Sequence, residues 1–119
     1  KEMQSLGTNP SLAELVTDRQ LRCFSGSIND LEKTVSIILK NSENKELIGK
    51  IAFDTLMMAG TITSSWQMLL SLERASNALK DNTSTAEFFS EKTETVKHFL
   101  DFILPRYLSN FATITAITE

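Results

Sequence analysis

Apolar residues recur at three- and four-residue steps along most of the chain, which is the spacing of one face of an α-helix. In the first third these positions are Leu12, Leu15, Val16, Leu21, Phe24, Ile28, Leu31, Val35, Ile38 and Leu39. Glycine and proline are scarce, at four and two residues, and no alternating run typical of hairpin strands occurs. The pattern therefore predicts an all-α protein.

The first helix is predicted to begin near residue 10 and to end near Asn41. Two signals mark its start. Asn9 is an N-cap candidate followed by Pro10, a residue favoured at the first helical position. Ser11 and Glu14 form an alternative capping box.

Two polar segments predict the turns between helices. NSEN, at residues 41–44, is rich in capping residues, and KDNTST, at residues 80–85, is the second such segment. Ser84 and Glu87 form a capping box just ahead of the next apolar run. A second helix is therefore expected over residues 45–79, with a third beginning after it.

Three positions bear on the continuity of these helices. The SGS segment at residues 25–27 lowers helix propensity, with glycine alone costing about 1 kcal/mol relative to alanine, so a kink or split is an alternative there. Pro105 removes a hydrogen bond inside the third helix, yet apolar steps resume after it. We expect a bend with helical continuation, a break into two short helices being the alternative, and a frayed tail after Ile114.

Helices of about thirty residues run about 45 Å, and two short turns make neighbours antiparallel. Residues 1–119 are therefore expected to form a single elongated up-down bundle of three long helices, or four if one is split. Gly26 and Gly60 are predicted to face each other across the first hairpin, which would bring the two backbones close together. Trp66, inside the uncharged part of the second helix, is predicted to be central and largely buried.

Lys92 interrupts the apolar stripe of the third helix, three residues after Phe89 and four before Val96. A buried, unpaired ammonium group is prohibitively costly. Either the side chain carries its ammonium to solvent, or it forms an ion pair, for which Glu73 is the expected partner. If the third helix bends at Pro105, Phe111 and Ile114 beyond the bend are also expected to be more exposed than Phe99 and Ile103 before it, because their natural partner would be absent.

Composition places the chain among ordinary globular proteins, with 41% hydrophobic residues, 23% charged residues and a net charge of −3. Lys and Arg do not cluster, so no nucleic-acid partner is predicted. The uncharged segment at residues 55–72 is interrupted by Thr and Ser, so no transmembrane segment is predicted. The chain begins without methionine, which favours a piece of a longer polypeptide.

The sequence offers few groups suited to catalysis. Cys23 is the sole cysteine, which is typical of a reducing compartment and predicts a cytoplasmic location, and its apolar neighbours favour a packing role. His98 is the sole histidine and is expected on the surface or in packing. Phosphate-binding glycine motifs and metal-ligand spacings do not occur. No catalytic, cofactor-binding or metal-binding residue is predicted.

The run from residue 88 to residue 108, FFSEKTETVKHFLDFILPRYL, resembles the C-terminal helical extension of a subgroup of acyl-CoA dehydrogenases. In that family segment an aromatic pair precedes a lysine, an apolar stretch and a Leu-Pro pair. The matching positions are Phe88, Phe89, Lys92, Val96, Phe99, Ile103, Leu104 and Pro105. The preceding helix is similar as well, with Gly60 and Trp66 at its characteristic places, and the resemblance covers residues 51–115.

The resemblance implies a parent flavoenzyme that contains FAD and oxidises acyl-CoA to 2-enoyl-CoA, as in fatty acid metabolism. The family's flavin site and catalytic carboxylate lie upstream of this extension, so neither Glu91 nor Glu94 is assigned a catalytic role. The expected partners are the upstream dehydrogenase domains of the same polypeptide and further copies in a homo-oligomer. The chain itself would be a non-catalytic module supporting packing or oligomer contacts, without a cofactor of its own.

Two other functions fit the same pattern of residues. One is a free-standing interaction bundle whose exposed apolar stripe binds a partner helix. The other is a small ligand-binding bundle with a pocket between helices, for which Met57, Met58 and Met68 would supply adaptable walls.

Overall fold

The computed structural model describes residues 12, 14–82 and 85–118, and this part of the chain is helical without strands. Its helices are α1 (Asp18–Lys40), α2 (Lys45–Lys80), α3 (Ala86–Phe102) and α4 (Tyr107–Thr118), with a 3-10 turn at Leu104–Arg106 between α3 and α4. The bundle is elongated, with principal extents of 54 × 24 × 22 Å. The predicted all-α bundle is confirmed, and its predicted third helix corresponds to α3, the 3-10 turn and α4.

Helix α1 begins at a capping box that the sequence reading missed. The Thr17 hydroxyl accepts a hydrogen bond from the Gln20 backbone N–H at 3.1 Å, and the Gln20 side-chain oxygen accepts one from the Thr17 N–H at 2.9 Å. Thr17 itself is extended, with φ −76° and ψ 157°. These two bonds satisfy N–H groups that have no partner inside the helix, which fixes the start at Asp18.

A turn at residues 14–16 lies between Leu12, which is helical, and this cap, so the predicted continuous helix from near residue 10 to Asn41 is wrong. The backbone N–H groups of Leu15 and Val16 both donate to the Leu12 carbonyl at 2.9 Å, which closes a turn ahead of Thr17. The predicted start signals Asn9, Pro10 and Ser11 lie outside the described residues.

Helix α1 is uninterrupted at residues 25–27, so the alternative of a split there is wrong. The Ser27 hydroxyl donates to the Phe24 carbonyl at 2.6 Å, so this buried polar side chain has its hydrogen-bond partner within the helix. A methyl group added at Gly26 would lie 4.0 Å from the Tyr107 hydroxyl, whereas one at the exposed Gly60 would meet no atom within 4 Å. The predicted close approach at these two glycines is therefore wrong, because α4 lies over Gly26.

The turns fall where the polar segments predicted them. Residues 41–44 separate α1 from α2, and the Asn44 side chain caps α2 by accepting from the Leu47 N–H at 3.2 Å. Helix α3 is capped by Thr85, whose hydroxyl accepts from the Phe88 N–H at 3.1 Å. The predicted cap at Ser84 is wrong by one residue; Ser84 itself lies outside the described residues.

Pro105 occupies the 3-10 turn, and helical structure resumes at Tyr107, as predicted. Because proline has no N–H, the Asp101 carbonyl lacks its usual partner four residues on. The Arg106 N–H instead donates to the Ile103 carbonyl at 3.1 Å, which tightens the chain into the turn.

Helix α4 continues through Thr118 and packs along α2. The prediction of a frayed tail after Ile114 is wrong, because the helix continues to Thr118, whose hydroxyl donates to the Ile114 carbonyl at 2.8 Å. The expected greater exposure beyond the proline is also wrong, since Ile114 is fully buried whereas Ile103 before it is only half-buried. Helix α4 finds its packing partner within this chain.

The core follows the inward faces of all four helices. Met58 and Ile62 are completely buried at the centre of α2, whereas Trp66 is half-buried at the edge of the core, less central than predicted. The buried apolar residues are Leu12, Val16, Leu21, Phe24, Ile28, Ile51, Met58, Ile62, Leu69, Leu72, Ala75, Val96, Leu100, Leu104, Tyr107 and Ile114.

Candidate functional site

Aspartate side chains tie the helices together at three places. Asp101, at the end of α3, accepts hydrogen bonds from Arg19 Nη2 at 3.1 Å and from Gln20 Nε2 at 3.0 Å. The Tyr107 hydroxyl donates to Asp30 at 2.9 Å. A third bond joins Asn110 Nδ2 to Asp54 at 3.0 Å, between α4 and α2. These bonds hold the segment around the 3-10 turn against α1 and α2.

Near this network the pKa values of Tyr107 and Cys23 are raised, which favours the neutral form of each group. Burial raises the pKa of the Tyr107 hydroxyl, and the hydrogen bond to the Asp30 carboxylate raises it further. Burial also raises the pKa of the Cys23 thiol, which packs against the core as predicted. A thiol that stays protonated is a poor nucleophile, so we assign Cys23 a structural role.

The other residues considered for chemistry lie on the surface of α3. His98 is exposed, and its ring centroid lies 4.8 Å from that of Phe102, so the predicted surface or packing role is confirmed. Glu91 and Glu94 are both exposed. Among the described residues, no group of three or more His, Cys, Asp or Glu side chains is arranged to hold a metal ion.

An open cavity of about 510 Å³ lies between α2 and α3, and we call it the α2–α3 groove. Its floor is formed in part by the half-buried side chains of Met68 and Phe99, and its walls carry hydroxyl, amide and cationic groups. The lining residues are Thr63, Ser64, Gln67, Met68, Ser71, Arg74, Lys92 and Phe99.

Lys92 is half-buried and faces this groove. The ion pairs found among the described residues are Arg19–Asp101 and Lys50–Glu46, so the predicted Lys92–Glu73 pair is wrong. The other solution foreseen for Lys92, in which the stem crosses apolar surface and the ammonium reaches water, fits an open groove. Arg74, next to Glu73 in sequence, lines the same groove from α2.

The outward side of α2 carries a second feature, an exposed apolar surface near its N-terminal half. Phe53 is 68% exposed, Leu56 is 72% exposed, and Met57 and Gly60 are exposed beside them. We call these four residues the α2 apolar face. Large apolar side chains grouped on one helix face are typical of a surface that contacts another protein.

The α2 apolar face and the groove lie along one stripe of the helix. Steps of four and three residues connect Phe53, Met57, Gly60, Ser64, Gln67, Ser71 and Arg74. This spacing averages 3.5 residues, the repeat with which one helix packs along another. The spacing of these seven residues is present in the sequence itself. A pocket between helices with Met68 in its wall was one of the predicted alternatives, but Arg74 and Lys92 were not expected to share it, because Lys92 was paired with the acidic neighbour of Arg74.

Comparisons with known proteins identify the family. Neither the curated proteins nor the solved structures include a match to this chain. No helix in the described part of the chain has the length and apolar character needed to span a membrane. Residues 2–119 match the family described as acetyl-CoA dehydrogenase C-terminal like, which extends the resemblance over α1 as well. The chain belongs to this family of acyl-CoA dehydrogenase C-terminal domains.

Proposed function

We propose that this chain is the non-catalytic C-terminal domain of an FAD-dependent acyl-CoA dehydrogenase, and that it packs against the dehydrogenase domains of the same polypeptide. The observation that carries the proposal is the family match over residues 2–119. The parent enzyme would oxidise an acyl-CoA thioester to the 2-enoyl-CoA, as in fatty acid metabolism. A cytoplasmic location stays a prediction.

The assignment of catalysis to other domains is supported by the positions of the titratable groups in this one. The titratable side chains of Asp30, Asp101 and Tyr107 are engaged in bonds between helices, and the carboxylates Glu91 and Glu94 are exposed. General acid–base catalysis needs a titratable group placed in a pocket against the substrate. The FAD and the catalytic base are therefore assigned to the dehydrogenase domains.

The α2 apolar face supplies the surface for this packing. Phe53 and Leu56 project from a helix whose opposite side is already buried in the bundle by Ile51 and Met58. Burying apolar surface contributes about 25 cal/mol per Å², so two large side chains leave a substantial free energy to be gained by contact. The alternative is that a second copy of the chain packs on the same face in a homo-oligomer.

The enzymatic part is tested on the polypeptide encoded by the complete reading frame. We expect the purified protein to contain FAD and to reduce an electron acceptor when an acyl-CoA is added. A reading frame limited to these helices would contradict the proposal and favour a free-standing interaction bundle. A flavin-free protein would contradict it as well.

The packing part is tested by Leu56→Asp in the same full polypeptide. A charge at the contact should uncouple the domains, so that calorimetry shows two thermal transitions where the wild type shows one. Leu39→Asp is the matched control, because Leu39 is 70% exposed on α1, and it should leave one transition. If Leu56→Asp also leaves a single transition, the face does not contact the dehydrogenase domains. A dimer of the 119-residue chain that this substitution dissociates would assign the face to a second copy.

A further inference from the structure

We propose that the α2–α3 groove binds a phosphate monoester whose organic portion is apolar or aromatic. Its volume of about 510 Å³ lies within the roughly 300–1,000 Å³ of small-molecule sites. The assignment rests on the groove alone and holds whether or not the chain is part of a dehydrogenase.

The charge of the groove selects an anion. Arg74 enters from α2 and Lys92 from α3, and the eight described lining residues include no Asp or Glu. This is a local concentration of positive charge on a chain whose net charge is −3. A phosphate monoester carries about −1.5 to −2 charges at pH 7, which matches two cations, whereas a carboxylate neutralises only one.

The remaining polar residues provide hydrogen-bond donors around the two cations. Ser64 and Ser71 contribute hydroxyls, and Gln67 contributes an amide, all from the side of α2 that carries Arg74. The planar guanidinium fork donates to two oxygens of one phosphate, and hydroxyl donors suit the third. Together these groups can donate hydrogen bonds to more phosphate oxygens than a single surface cation can.

The apolar part of the lining determines what the phosphate is attached to. Met68 and Phe99 are half-buried and face the groove, and Met68 also packs against the core. An aromatic or aliphatic group would bury apolar surface against them, and the thioether and the ring both favour contact with an aromatic ring. A bare phosphate ion would leave most of the groove filled with water.

The test is a titration of the 119-residue protein with phenyl phosphate at constant ionic strength, followed by changes in backbone amide NMR signals. We expect the shifted signals to come from residues 63–74 and 92–99. Lys92→Gln and Arg74→Gln should each weaken binding about tenfold or more, as loss of one charged contact does. Lys92→Arg should retain binding, and Lys33→Gln, at an exposed lysine on α1, should leave it unchanged.

Two comparison probes and one change of pH separate the parts of the proposal. Benzoate and inorganic phosphate should both bind more weakly than phenyl phosphate. Phenyl phosphate should bind more tightly at pH 7 than at pH 5, because its second ionisation falls near pH 6. Equal affinity for benzoate would overturn the preference for a dianion, and equal affinity for inorganic phosphate would overturn the apolar subsite. Binding unaffected by Arg74→Gln and Lys92→Gln would overturn the site.

Discussion

The hydroxyl of Tyr107 donates a hydrogen bond to the Asp30 carboxylate at 2.9 Å, which joins α4 to α1 across 77 positions of sequence. Tyr107 is 4% exposed, so when its hydroxyl is removed, water cannot easily take its place as the donor to Asp30. Tyr107→Phe should lower the free energy of unfolding by about 1.5–3 kcal/mol, the range for bonds to charged groups, as measured by urea denaturation. A loss below about 0.5 kcal/mol would show that the bond contributes little.

The same pair predicts a dependence of stability on alkaline pH. The folded protein raises the pKa of Tyr107 above its unfolded value, so its contribution is complete below about pH 10. The free energy of unfolding should then fall as pH rises above that value, because the unfolded chain loses the proton more readily. Tyr107 is the only tyrosine. Tyr107→Phe should therefore show a shallower fall, and parallel curves for the two proteins would contradict the prediction.

Asp101 contacts two donors whose environments differ greatly. Gln20 is 3% exposed, whereas the Arg19 side chain is 75% exposed. Asp101→Ala leaves the buried Gln20 amide without its acceptor and should cost about 1–3 kcal/mol in the free energy of unfolding. Arg19→Ala removes only a surface ion pair and should cost less than about 1 kcal/mol. Equal losses in chemical denaturation would mean that the Arg19–Asp101 ion pair, and not the Gln20 hydrogen bond, stabilises the contact between α1 and α3.

Thr55 offers a site for stabilisation. Its hydroxyl oxygen is buried, and the structure gives it no hydrogen-bond partner. Thr55→Val should raise the free energy of unfolding by about 1 kcal/mol, because an unsatisfied polar group is replaced by an apolar one of similar shape. Thr34→Val is the control: the Thr34 hydroxyl donates to the Asp30 carbonyl at 3.0 Å, so this change should destabilise. A lower thermal midpoint for Thr55→Val would refute the prediction.

Trp66→Ala should cost about 2 kcal/mol in the free energy of unfolding. That is less than the 3–5 kcal/mol typical of a fully buried aromatic residue, because Trp66 is only half-buried at the core edge. Thermal denaturation of the variant measures the difference. An unchanged midpoint would show that the indole makes no net contribution.

The sequence predicted helices and turns well wherever the signal was local. Residues 41–44 and α2 were placed correctly because the capping residue and the apolar spacing act within a few positions. The start of α1 was missed because the Thr17 and Gln20 capping box lies inside an apolar pattern that continues on both sides. Helical periodicity alone does not reveal a turn when its apolar residues also reach the core, as Leu12 and Val16 do.

Contacts between distant parts of the chain were predicted less well. A simple hairpin model placed Gly60 over Gly26, but the turn at Pro105 brings Tyr107 there. The same model assigned Glu73 to Lys92, although a shift of one residue along α2 turns a side chain by about 100°. Arg74 therefore lines the groove with Lys92. Side-chain azimuth across a helix pair depends on interhelical packing, which a single sequence does not specify.

Helix α2 spans the length of the bundle, so it also fixes the geometry between its two surface features. Leu56 and Arg74 are 18 residues apart, which is five full turns and about 27 Å, so they point to the same side. A one-residue insertion near Gly60 would rotate Arg74 by about 100° away from Leu56, whereas seven residues would keep the direction to within about 20° and add about 10 Å. Length variation within α2 is therefore constrained to steps near a heptad if both features are to be retained on one side.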